Sequence, residues 1–524
     1  MGAPGLVIRG GLVFGGGAAD QLVPADVAVE NGRIAAIGAG LRCAGAEVLD
    51  ATGLVVSPGF IDLHSHSDLT LFDAPGAESK ILDGVTTELC GHCGFSPFPN
   101  EGAGGKPLGD PGRVFVDAAS FFNAMEQAGM ANNRACLAGH GTIRARVMGL
   151  DDRRPARGEL ERMRALLAEA MEQGAAGLSS GLEYAPGCFA DVEELAFLAE
   201  EVGLRHGLYA THIRDEGDRL IESVEEALDV ARRSKCRLQI GHLKTLGKAN
   251  WGKIGELERV LRAALAQGVD VAADRYPYLA CSTGLRALFS PWLMDGGPEK
   301  ACERLRDAAA RERLRRELGE EPGGGPAWDA VIVASTRSEA GRKWMGRSMA
   351  AVAQARGQAP VEAAMDLLAE EETRVGVVIF AMCEENLARI VNWPFVMVAS
   401  DASARSLDPA RENGLPHPRA FGTFARAVGR LAREKRVLTL EQALRKVTGQ
   451  PAERMRLRER GLLRVGWAAD VTVFDPEAIL DTATFEAPYQ ASPGIRHVLV
   501  NGVAAVRDGA VTGARAGRAL RKGA

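Results

Sequence analysis

Short apolar runs punctuated by glycine open the chain: Leu6 to Arg9, Leu12 to Phe14, Asp26 to Glu30 and, across an Asn31-Gly32 hairpin turn, Arg33 to Ile37. Runs this short, joined by turn residues that tolerate positive φ, predict a small β domain. The C-terminal end has the same character, with Ala469 to Phe474, Ile495 to Val500, an Asn501-Gly502 turn and Ala504 to Arg507. Residues 1–54 and 465–524 are therefore expected to build one composite β-sandwich flanking a long middle, residues 55–464.

In that middle, β-branched apolar runs alternate with helical segments, the pattern of a parallel sheet made of βα units. Strands are expected at Val55 to Leu63, Gly84 to Leu89, Arg134 to Gly139, Ala175 to Ser180, Gly207 to His212, Arg237 to His242, Val269 to Asp274 and Phe395 to Asp401. Glu159 to Gln173, Val192 to Val202, Leu220 to Ser234 and Glu256 to Gln267 carry the 3.6-residue apolar spacing of helices laid on a barrel. The fold class is thus α/β, a (β/α)8 TIM-like barrel. From about Ala280 to Gln358 the spacing breaks at Pro/Gly clusters, which predicts an inserted segment. The basic C-terminus, Arg515 to Lys522, reads as frayed.

Composition narrows the chemistry. With 63 Lys+Arg against 68 Asp+Glu, a formal net charge of -5 lacks the basic footprint of a nucleic-acid binder. No run reaches the ~18 apolar residues that cross a bilayer, and residues 1–10 lack signal-peptide grammar, so a cytoplasmic protein acting on small molecules is expected. Nine Cys spread over 524 residues argue against a disulfide framework.

Four histidines end expected strands: His64 and His66 after Ile61-Asp62-Leu63, His212 after Ala210-Thr211, and His242 after Ile240-Gly241. Strand C-termini of a parallel barrel open onto one face, so these imidazoles converge. Asp401 ends the last strand and Cys93 lies just beyond the second. Imidazoles, a thiolate and a carboxylate on one mouth make a candidate Zn²⁺ site of one metal or of two, ~3.5 to 4 Å apart. Each histidine taken singly reads equally well as a hydrogen-bonded strand-end residue.

Two segments resemble the opening and closing signatures of the amidohydrolase superfamily: Pro58-Gly59-Phe60-Ile61-Asp62-Leu63-His64-Ser65-His66 and Gly461-Leu462-Leu463-Arg464-Val465-Gly466-Trp467-Ala468-Ala469-Asp470. Gly91-His92-Cys93-Gly94, Ser179-Ser180-Gly181-Leu182-Glu183-Tyr184, His242-Leu243-Lys244, Tyr276-Pro277-Tyr278 and His417-Pro418-Arg419-Ala420-Phe421-Gly422 resemble the D-aminoacylase (N-acyl-D-amino-acid deacylase) family over nearly the whole chain. The resemblance implies zinc-dependent hydrolysis of N-acyl-D-amino acids. Cys93, His212 and His242 would hold the tight zinc, His64 and His66 a weaker second one, and Asp401 would be the general acid/base. Lys244, Tyr276, Ser282 and Arg419 would hold the substrate carboxylate. His92 stands where the family has Asn, and Ala402 where it has Gly. A cyclic-amide or dipeptide hydrolase using the same metals is the alternative.

Two other motifs compete. Cys90-Gly91-His92-Cys93 has dithiol redox spacing, but Gly94 to Pro99 cannot start the helix that would activate its first thiol. Gly177-Leu178-Ser179-Ser180-Gly181 fits a nucleophile elbow, yet the residues that follow read as a loop rather than a helix. Glu183 reads equally as a carboxylate beside the metals and as a surface ion-pair partner. His140 and His206 read as structural, and the glycine-rich stretches at 15–17 and 102–105 as loops.

Overall fold

The computed structural model describes residues 5–15, 20–42, 44–100, 113, 115–319 and 326–522. Gly16, Gly17 and residues 102–105 lie outside them. Strands β1 (Leu6–Phe14), β2 (Leu22–Glu30), β3 (Arg33–Gly38), β4 (Glu47–Asp50) and β5 (Val55–Pro58) come first, followed by β6 (Phe60–Asp62), β7 (Val85–Cys90), β8 (Asn133–Cys136) and β9 (Ala138–Gly139). Next are β10 (Gly177–Gly181), β11 (Leu208–His212), β12 (Arg237–Ile240) and β13 (Val271–Arg275), then β14 (Ala280–Gly284), β15 (Val331–Ser335), β16 (Gly376–Phe380) and β17 (Val396–Val398). The chain closes with β18 (Val471–Phe474), β19 (Ile495–Val500), β20 (Val503–Arg507) and β21 (Ala510–Val511).

Both chain ends enter one nine-stranded sheet, in the order β21-β20-β19-β18-β5-β1-β2-β3 with β4 beside β1. Alternation decides what each strand touches. Val13, Val56 and Val473 face a core internal to the sheet, whereas Phe14, Val55 and Phe474 pack with Phe60, Val85 and Phe424 of the barrel. The expected strand Val55 to Leu63 is two strands. Gly59 N donates to Asp470 O at 2.9 Å between them, leaving β5 in the terminal sheet and β6 in the barrel.

The barrel strands form two parallel arcs, β6-β7-β8 and β9-β10-β11-β12-β13-β17. Ala176 N, just before β10, donates to Cys136 O of β8 at 2.8 Å and joins the arcs across one gap. Asp401 N donates to His64 O at 2.8 Å, and a parallel bridge joins Ser65 to Ala402 across the other. Helices cover the outside as the apolar spacing predicts: Leu220–Ser234 buries Leu220, Val224, Ala227, Leu228 and Ala231 on one stripe.

The inserted segment runs past the expected Gln358. Strands β14, β16 and β15 pair antiparallel, so it extends to Phe380 and surrounds its own apolar cluster. The C-terminus is not frayed either. Arg134 N donates to Arg518 O at 3.0 Å and Leu520 N to Arg134 O at 2.7 Å, docking the tail along β8. No helix among the described residues is long and apolar enough to cross a membrane.

Candidate metal centre

Ligand atoms gather where the strands end. His64, His66, Cys93 and Asp401 place one ligand atom each within 4.8 Å of one another, and so do Cys93, His212 and His242, with Cys93 common to both groups. The Cys93 sulfur lies 3.5 Å from His64 Nε2 and 3.7 Å from His242 Nε2. His64 Nε2 and His66 Nε2 lie 3.2 and 3.0 Å from Asp401 Oδ1. All are buried except His66, whose side chain is 32% exposed.

Tight backbone turns bring these side chains inward. Cys93, His242 and Asp401 adopt left-handed φ values of 53°, 35° and 52°, the kind of local strain that accumulates at functional sites. Gly91, at φ 77°, lets the chain leave β7 sharply, and a Cβ there would sit 2.2 Å from Leu137 O. Lys80 ties the two ligand-bearing segments together across the closure. Its ammonium donates to Asp62 Oδ2 and Ser400 Oγ at 2.7 Å each and to Ala402 O at 2.9 Å. Glu88 accepts from the hydroxyls of Ser65 and Ser67, both at 2.5 Å, and so fixes the residue between His64 and His66.

Two carboxylates not foreseen in the sequence orient the imidazoles. Asp274 Oδ1 faces His64 Nδ1 at 3.0 Å and accepts from His242 N at 2.7 Å, while Oδ2 accepts from Gln239 at 2.9 Å. Glu216 Oε1 lies 2.8 Å from His242 Nδ1. Carboxylates behind metal-ligating imidazoles fix the tautomer that leaves Nε2 free for a metal. Asp274 carried a legible signal, a carboxylate at the C-terminal end of an expected barrel strand. Glu216, in the loop after β11, carried none.

Electrostatics fit a bound cation. Burial pushes the Cys93 thiol up, but His64, His212 and His242 outweigh it and hold the group well below the ordinary thiol range, as a thiolate. Burial also raises Asp401, and Arg419, followed by His242 and His64, pulls it far below the usual carboxylate range. His212 Nε2 lies 2.7 Å from Glu183 Oε2 but off the hydrogen-bond axis, so both buried ring nitrogens lack a hydrogen bond. A thiolate, imidazoles with unsatisfied nitrogens and a carboxylate make a donor set suited to zinc.

The residues expected to hold a substrate carboxylate are placed unequally. Arg419 Nη1 pairs with Asp401 Oδ2 at 2.7 Å, and its guanidinium lies 4.6 Å from the centre of the Tyr276 ring. The Tyr276 hydroxyl is buried with no hydrogen-bond partner. Lys244 is held by Glu216, the carboxylate that also faces His242 Nδ1, and its ammonium lies 2.9 Å from that nitrogen. Ser282 sits half-buried on β14 opposite Val378, and its side chain hydrogen-bonds to no described residue. His92 stacks on His64 with ring centres 4.0 Å apart.

The competing motifs fall away on geometry. Cys90 and Cys93 form no disulfide. Cys90 points to Ser65, and burial raises its thiol well above the ordinary range, the opposite of a redox-active cysteine. Ser179 lies within β10, its hydroxyl donating to Gly91 O at 2.5 Å. His140 is held by Glu194 at 2.8 Å.

The profile of the amidohydrolase family matches residues 47–201 and 333–506. An N-acyl-D-glutamate deacylase of Alcaligenes xylosoxydans xylosoxydans is 38% identical over 99% of this chain and 97% of its own length. A D-aminoacylase of the same organism is 34% identical over 95% and 94%. The crystal structure of N-acyl-D-glutamate deacylase from Bordetella bronchiseptica, complexed with zinc and a phosphonate inhibitor that mimics the tetrahedral intermediate, superimposes with a TM-score of 0.83. It is 34% identical and covers 99% of this chain and 100% of that one.

Proposed function

The chain belongs to the amidohydrolase family, and on that premise we propose that it hydrolyses the amide bond of N-acyl-D-amino acids to a carboxylate and a free D-amino acid, with zinc as its cofactor. The observation that carries this reading is the pair of ligand groups sharing Cys93 at one barrel mouth. Cys93, His212 and His242 would hold a first zinc, and His64, His66 and Asp401 would share a second with Cys93. The chemistry zinc supplies when bound is polarisation of the scissile carbonyl and ionisation of water near neutral pH.

The chain's own residues supply the remaining steps. Asp401, anchored between two imidazoles and Arg419, would take the proton of the attacking water and return it to the leaving amine nitrogen. Arg419 keeps donors beyond the one spent on Asp401, and its planar fork suits a carboxylate. With the buried Tyr276 hydroxyl beside it, it would grip the substrate α-carboxylate. Lys244, held against Glu216, adds positive charge behind His242. The inserted segment, which contributes Ser282 and packs on Tyr276, would roof the side chain. The terminal sheet, expected over 1–54 and 465–524, would support the barrel from outside.

Anchoring the α-carboxylate and the acylated nitrogen fixes two groups on Cα and leaves two ways to place side chain and hydrogen, of which only one would keep the side chain clear of the barrel wall, so one enantiomer should be strongly preferred. The test is a panel of N-acetyl-D-glutamate, N-acetyl-D-aspartate and N-acetyl-D-methionine with their L counterparts, alongside elemental analysis and an Arg419→Ala variant. The expected result is zinc in the purified protein, hydrolysis confined to D substrates, and a kcat/KM for Arg419→Ala lowered by ~2 to 5 kcal/mol of lost carboxylate binding. Equal rates on L substrates, or hydrolysis of cyclic amides in their place, would overturn it.

A further inference from the structure

The barrel end opposite the metal ligands is open. A cavity of about 640 Å³ lies there, at the starts of β10, β11 and β12, whose far ends lead to His212 and His242. That volume is in the range of small-molecule sites, ~300 to 1,000 Å³. Its floor is apolar, formed by Leu89, Ala135, Ala176 and Leu208, three of which belong to the barrel's interior cluster. Small residues at two of the four positions keep the space open.

The walls are cationic to a degree the whole chain is not. Seven Arg and Lys residues line the cavity against a single acid, Glu459, in a protein of formal net charge -5. Glu459 is itself paired with Arg33 at 2.6 Å. Three of the cations are held by neighbouring groups: Arg237 by Asp270 at 3.3 Å, Arg460 by Asp470, and Arg521 by Asn123 at 2.8 Å. Lys522 donates to Arg205 O. The side chains of Arg456, Arg458 and Arg518 form no hydrogen bond or ion pair with a described residue. Burial and the adjacent Arg454 and Arg456 lower the Arg237 guanidinium to about 10.

We infer that this cavity binds a small phosphate-bearing polyanion with an apolar or aromatic portion, a nucleotide or a phosphate ester of similar size. Guanidinium forks match phosphate oxygens two at a time. Three unpaired forks over an apolar floor fit several charged oxygens and one organic group better than a single carboxylate, which engages one fork. The C-terminal segment supplies Arg518, Arg521 and Lys522 because it is pinned along β8, so its docking is part of the site.

The test is calorimetric titration of the zinc-loaded, full-length protein with ATP, inorganic pyrophosphate and octanoate, repeated on an Arg456→Gln/Arg518→Gln double variant. Both side chains are exposed, so the variant should fold, as an unchanged melting temperature and unchanged kcat/KM on an N-acyl-D-amino acid without added ligand would show. The expected result is submillimolar ATP binding that weakens with salt and falls roughly tenfold or more in the double variant. Because phosphates also chelate zinc, a Cys93→Ala protein, which lacks the sulfur common to both ligand groups, is titrated too and should bind ATP like the parent. No binding of ATP or pyrophosphate, equal binding by the double variant, loss of ATP binding in Cys93→Ala, or preference for octanoate over both phosphates would each overturn the assignment.

Discussion

Replacing Asp274 by Asn tests the carboxylate behind the imidazoles without touching an expected metal ligand. In the native site its Oδ1 serves His64 Nδ1 at 3.0 Å and His242 N at 2.7 Å, and its Oδ2 accepts from Gln239 at 2.9 Å. Asn keeps one acceptor oxygen and brings an amide that clashes, donor to donor, either with Gln239 or with His64 Nδ1–H. The His64 tautomer that presents Nε2 is then no longer enforced, and the buried negative charge facing the cationic site is gone. Losing such an orienting partner typically costs 10- to 100-fold in metal affinity, which is about 1.4 to 2.8 kcal/mol. Because Asp274 touches the His64 ring but only the backbone of His242, the loss should fall mainly on the group formed by His64, His66, Cys93 and Asp401. Competition against a chelator of known affinity, with metal-to-protein ratios at each step, gives the two affinities. An Asp274→Asn protein that holds zinc as tightly as the parent would refute the orienting role.

Cys93→Ala, which removes the sulfur shared by both groups, should abolish activity and lower bound zinc, whereas Cys90→Ala should retain both; equal losses in two well-folded variants would count against Cys93 as a ligand. Asp401→Asn should reduce kcat by ~10²- to 10⁴-fold with a smaller change in KM, and a normal kcat would remove it from the proton transfers. Lys446 is a stability probe away from the site: burial lowers its ammonium from 10.5 to about 8 while it donates to Trp393 O at 2.8 Å and Val396 O at 2.6 Å. The unfolded chain holds that proton up to about 10.5, so unfolding takes up a proton between the two values and stability rises with pH there, the full cost being present below 8. Chemical denaturation at pH 7.5 and 10 should therefore show the parent gaining on the order of 2 kcal/mol relative to Lys446→Met, and a difference that does not move with pH would dismiss this reasoning.

Local pattern sufficed for most of the elements and for the candidate ligands at the strand ends. Apolar spacing placed the helix Leu220–Ser234 residue for residue, and once a parallel barrel was inferred, His212 and His242 had to open onto one mouth, since strand direction alone decides that. Short apolar runs bounded by glycine and Asn-Gly turns likewise located strands at both termini. The tertiary structure decided what local pattern cannot encode. Val55 to Leu63 reads as one apolar run, and only the bond from Gly59 to Asp470, more than four hundred residues away, divides it between two sheets. Glu216 has no signature because its role depends on a loop folding over His242. Arg515 to Lys522 read as a loose basic tail for the same reason. Charge and polarity describe a segment's preference for water, whereas its docking rests on backbone hydrogen bonds to β8 that exist only once the barrel is closed.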